Sequence, residues 1–125
     1  MTEKVQKIRA KNLIRMAIVQ EMEAEMERDS ILREEQRRPL LRFLRRRRGL
    51  PEPKITVEQA IEITRDYFVN VEGYPESVRK VPLLVTSTLQ SYEIRPVSMG
   101  AGFVSVKVDM TDGRIYDVIA PEIMM

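Results

Sequence analysis

The stretch Ile55 to Phe68, ITVEQAIEITRDYF, leaves the least freedom to what this chain can become. Thr56 stands at a natural N-cap and Gln59 follows three residues later, the capping-box spacing that satisfies two backbone N–H groups at a helix start. Glu58 and Glu62 lie toward the positive end of the helix dipole. Val57, Ala60, Ile61, Thr64, Tyr67 and Phe68 recur at helical spacing, so one side is apolar and needs a surface to cover.

The residues that follow can supply that surface. Val71-Glu72-Gly73-Tyr74-Pro75 breaks the helix, and four strand candidates come after it. They are Lys80 to Leu89, with Pro82 confining its start to an edge or lead-in position, Ser91 to Val97, Phe103 to Met110 and Arg114 to Ile119. Val104, Val106 and Val108 alternate with Ser105, Lys107 and Asp109, which is the pattern of a strand with one wet face. Thr111-Asp112-Gly113 between two such runs is a hairpin signal, and Ser98 to Gly102 reads as a flexible connection. The expected fold class is α+β: a long N-terminal helical arm, then one helix packed on a small antiparallel β-meander.

A helix opening ITVEQAIEIT and a close of VSVKVDMTDGRIYDV resemble the PepSY family. The residues that carry the resemblance are Thr56, Glu58, Gln59 and Ala60, then Val106, Val108, Asp109, Thr111, Asp112, Gly113 and Ile115. It spans residues 55–119 and implies a module of the kind found outside the cytoplasm or at membranes, associated with restraining proteases. The charged arm before residue 50 is foreign to that family.

Residues 2 to about 36 hold no Gly and no Pro and are rich in Glu, Lys, Arg, Met, Ala and Gln, a strongly helical composition. A stripe runs through Val5, Ile8, Asn12, Met16, Val19, Met22 and Met26, while Leu13, Ile14, Ala17 and Ile18 add apolar cover on other sides. One reading is a long helix packed on its own domain. The favoured one is an arm that packs on a protein partner or on its own copy through Val5, Ile8, Asn12, Leu13, Met16, Val19, Met22 and Met26. Some fifty residues of arm exceed what so small a module can cover. Asn12 is of the type that fixes register in helix pairs. Pro39 is expected to open a second short helical piece that stops at Gly49, and Leu50-Pro51-Glu52-Pro53 reads as a stiff linker. The expected division is an arm at 1–50, a linker at 51–54 and an α+β module at 55–125.

The net charge of +2 conceals segregated blocks. Residues 1–15 carry about +4, residues 21–35 about −5, residues 36–50 +7 and residues 51–125 about −4. Antiparallel pairing of two copies would lay the basic residues 4–15 near the acidic residues 21–35. The cluster Arg37, Arg38, Arg42, Arg45, Arg46, Arg47 and Arg48 is the candidate site for an anionic partner. Three readings compete for it: a solvated face complementing the helix dipole or pairing with the acidic block, a nucleic-acid contact, or attachment to an anionic membrane surface beside Leu40, Leu41, Phe43 and Leu44.

Catalysis is not expected. With no His and no Cys, the commonest general base, thiol nucleophile and zinc ligands are missing, and no glycine loop is built to cradle phosphate. Neither cofactor, metal nor small-molecule substrate is anticipated; Asp109, Asp112 and Asp117 read as turn residues. The first twenty residues do not read as a signal peptide, so the cytoplasm is the expected compartment. The functional expectation is a non-catalytic assembly or adaptor subunit. A nucleic-acid-binding protein dimerised by its arm and a peripheral membrane-attachment subunit are the alternatives.

Overall fold

The computed structural model describes residues 2–97 and 104–120, and the Ser98 to Gly102 connection lies outside them. The fold is α+β. Helix α1 spans Thr2–Arg47, helix α2 spans Val57–Asn70, and a 3-10 turn at Glu76–Lys80 leads into four strands. These are β1 (Leu83–Ser87), β2 (Ser91–Pro96), β3 (Ser105–Asp109) and β4 (Ile115–Ile119). All neighbours are antiparallel in the order β1-β2-β3-β4, a simple meander. The strand expected from Lys80 starts later, because the 3-10 turn takes Glu76–Lys80 and Pro82 has no N–H to give to a ladder.

Helix α2 starts as its sequence requires. The Thr56 hydroxyl accepts from Gln59 N, and the Gln59 side chain accepts from Thr56 N at 2.8 Å. Its buried face is Val57, Ala60, Ile61, Thr64 and Phe68, with the Thr64 hydroxyl donating to Ala60 O. Opposite lie Leu83, Val85, Tyr92, Ile94, Val106, Val108 and Met110, and together they make one apolar core. The β3–β4 hairpin turns at Gly113, whose φ of 75° suits glycine. A Cβ there would also come within 2.9 Å of Ile63 Cδ1, so the turn is tucked against α2. The other sheet face is wet, and Lys107 lies 3.7 Å from both Glu93 and Asp117 across it.

One expectation about the N-terminal region needs correction. Pro39 does not begin a second helix; it sits inside the 46 residues of α1. An internal proline removes one ladder bond and costs about 3 kcal/mol. Here Pro39 lies on the exposed side, and anchors before it (Ser30, Glu34) and after it (Leu41, Arg45) hold both segments to the module. The segment at 51–54 is extended and held by hydrogen bonds. Pro51 O and Pro53 O accept from Arg45 and Arg38, and Lys54 N and Ile55 N both donate to Met110 O.

The packed part of α1 runs beside β1, in the same direction, and closes that edge of the sheet. The Ser30 hydroxyl both donates to Val85 O and accepts from Val85 N, at 2.9 Å each. Glu27 accepts from Leu83 N at 3.0 Å, and Arg45 donates to Leu89 O beyond the strand's end. From residue 27 to 45 a helix advances about 27 Å, while the chain from 83 to 89 advances about 20 Å. The long side chains therefore serve the two ends and the short serine the middle. Glu35 accepts from Val57 N at the start of α2, and Glu27 pairs with Arg65 of α2.

Candidate functional site

The face that α1 presents to the module is polar. Ser30, Glu34, Leu41 and Arg45 are its buried residues, and three of the four are polar or charged. Glu34 is 1% exposed and accepts from Arg37 through both carboxylate oxygens. Burial pushes the Tyr92 phenol above its ordinary pKa, and the nearby Glu35 and Glu34 charges push the same way against Arg38 and Arg45. The Tyr92 hydroxyl donates to Ile55 O at 2.7 Å, which favours its protonated form.

The N-terminal part of the same helix behaves differently. Every residue from Glu3 to Met22 is exposed. Val5, Ile8, Asn12, Leu13, Met16, Val19, Met22 and Met26, the arm residues singled out from sequence, all project into open space, as do Ile14 and Ile18. Leu13 is 66% and Met16 57% exposed. Around the middle of the arm, Leu13, Ile14, Met16, Ile18 and Val19 point to all sides, the pattern of a helix made to be surrounded. Among the described residues, no charged side chain from Glu3 to Glu25 has an ion-pair partner within the chain. The arm is apolar in the middle and charged at both ends, and from Glu3 to Met22 it is exposed among the described residues.

The arginine cluster is divided by the fold. Arg45 turns inward, is 3% exposed, and donates to Pro51 O, Leu89 O and the Thr111 hydroxyl. It is an internal clamp and so departs from the anion-facing set. Arg37 is engaged with Glu34 and Arg38 with Pro53 O. Arg46 pairs with Glu52, and its hydrogen bond and charge hold that carboxyl below its ordinary pKa. Arg47 lies 6.0 Å from the Phe43 ring centroid, a cation–π contact. Arg42, Arg47 and Arg48 keep no carboxylate among the described residues, and at about 100° per residue they fan around the helix end.

A groove of about 290 Å³ lies where α1 ends against the β1–β2 turn, lined by Arg37, Leu41, Leu44, Arg48, Ser87, Thr88 and Leu89. The Ser87 hydroxyl is buried and has no hydrogen-bond partner among the described residues. Among the described residues no cluster of carboxylates is arranged to hold a metal ion. Asp109 is occupied in accepting from Thr111 N and Asp112 N, and Asp112 in accepting from Arg114 N. No helix of the described residues is long and apolar enough to cross a membrane.

Sequence reasoning missed Glu27 and Ser30, which close the β1 edge, and the buried Glu34 four residues on. Their spacing of three and four was visible, but hydropathy marks such residues as solvent-facing. No protein-family model, no curated protein and no solved structure matches this chain.

Proposed function

We propose that this protein is a non-catalytic assembly subunit whose N-terminal arm docks on protein. The observation that carries this reading is the exposure of nine large apolar side chains between Val5 and Met26 on a helix whose remaining length is anchored to a folded module. Exposed apolar area of this extent marks an interaction surface. Methionines at 16, 22 and 26 give that surface side chains that adapt to a partner. The α2–sheet module serves as the mount, and α1, held to it at Glu27 and Ser30, continues as one helix into the arm. The outward arginines Arg42, Arg47 and Arg48 would meet an acidic partner at the far end of the same helix.

A photoreactive residue in place of Met16, in the full chain within extract of its own cells, tests the reading. Protein adducts should form at Met16 and not at an equivalent probe replacing Glu58 on α2, which is also exposed. Equal labelling at both positions, or none at Met16, would remove the arm as a docking surface. Retention on nucleic acid or anionic vesicles that falls steeply with salt, and is lost when Arg42, Arg47 and Arg48 become Gln, would favour the alternatives.

A further inference from the structure

We infer that the arm's partner is a second copy of this chain, laid antiparallel with the two-fold axis passing beside Met16. The inference rests on the docking reading above and adds the identity and orientation of the occupant. It comes from the order of residues on a segment that the structure leaves unpartnered from Glu3 to Met22. Reversed about Met16, the arm is its own complement. On the face that carries Met16, at about 100° per residue, Arg9 falls level with the partner's Glu23 and Asn12 with the partner's Gln20. Leu13 falls level with the partner's Val19 on the flanks of that face. Apolar levels thus match apolar ones, amide matches amide, and base matches acid. The levels that do not match are Arg15 with the partner's Ala17 and, toward the arm's end, Gln6, Val5, Lys4 and Glu3 with the partner's Met26, Glu27, Arg28 and Asp29. A parallel pair in register would instead set every charge beside its own kind.

The module leaves room for the incoming helix end. Where the arm departs, a groove of about 480 Å³ opens between Glu23 and Ala24 of α1 and Ser77, Lys80, Val81 and Pro82 below them. On the antiparallel register the partner's Ile8 arrives level with Ala24, at this groove. The partner's Arg9 arrives beside Glu23. Each copy would thereby brace the tip of the other's arm against its own module. Association would draw its strength from the apolar middle, and the charged ends would set direction.

The chain has no cysteine, so placed thiols report the geometry directly. Under mild oxidation Met16→Cys should give a covalent dimer, and Gln6→Cys alone should not. A mixture of Gln6→Cys with Met26→Cys should give one. Self-crosslinking of Gln6→Cys would overturn the antiparallel arrangement in favour of a parallel one. Sedimentation of the unmodified full chain as a monomer, with no crosslink from any of these variants, would exclude the second copy. Adduct formation at Met16 with other proteins in extract would still leave the docking reading standing. Charge reversal sharpens the outcome. Arg9→Glu should weaken self-association about tenfold or more, as should Glu23→Arg, and mixing the two variants should restore it. All of these side chains are exposed or, for Glu23, partly so, and loss of the fold is not the expected outcome.

Discussion

Residues 3–22 and residues 23–47 belong to one helix, and the half richer in Ile, Leu, Val and Met is the one left in solvent. The half that packs does so through Glu27, Ser30, Glu34 and Arg45, with the buried Leu41 and the half-buried Ile31 as its apolar members. Burial and hydropathy therefore run in opposite senses along a single element. The cause is the nature of the surface each half meets. A strand edge offers unpaired N–H and C=O groups, and what satisfies it is a row of hydrogen-bonding side chains. Apolar side chains there would leave the outward groups of Leu83 and Val85 without partners. The free half has no such surface, so its apolar residues mark where a different one must come.

Substitutions can break or sharpen that contrast. The largest effect is expected at Arg45→Ala, which strips donors from Pro51 O, Leu89 O and Thr111 at once. Loss of about 3 kcal/mol in urea unfolding is expected for removing a buried, hydrogen-bonded cation. A cost under about 1 kcal/mol would mean that α1 is not held by this clamp. Ser30→Ala should cost about 1–3 kcal/mol by leaving the Val85 N–H and C=O unsatisfied, and amide exchange at Val85 should quicken. Unchanged exchange would mean that the edge is closed by something else. Thr56→Ala removes the cap of α2 and should cost about 1 kcal/mol, additive with Ser30→Ala because the two share no partner.

Smaller still is the expected effect of Leu13→Ala on the chain studied dilute enough to be monomeric, within about 0.5 kcal/mol. A loss near that of a core leucine would show the arm folded against its own module. A last measurement concerns the buried interface alone. The Tyr92 pKa is raised on folding, chiefly by burial, so the folded state holds that proton more tightly than the unfolded chain does. Its contribution is complete below the free phenol value of 10.0 and is lost as pH climbs through the raised value. The part of the alkaline loss that disappears in Tyr92→Phe is the quantity to compare.

Much of the module was legible because its residues follow the rules that hydropathy and turns obey. Thr56 and Gln59 announced the start of α2, the alternation at Val106 and Val108 announced β3, and Asp112-Gly113 announced the hairpin. The apolar stripe of the arm could be read as residues, but not as a free surface, since a stripe looks the same packed or bare. Pro39 misled because a proline inside a helix and one that opens it carry the same local signature. Only the anchors on either side distinguish them, and these are tertiary. Arg45 could not be told from its six neighbours in sequence, because what sets it apart is the carbonyls it reaches at Pro51 and Leu89. The polar face of α1 had a period but no greasiness, and greasiness is what a sequence reading weighs.

The rail of side chains from Glu27 to Arg45 has one more implication. A meander has two margins, and each can recruit a strand from a neighbouring molecule. In this protein the β1 margin is already spent, leaving β4 as the one that no other described element pairs with. Molecules joined at β4 would bring their two spent margins to the outside, and growth would halt at a pair. A ribbon of sheets running from molecule to molecule is thereby barred.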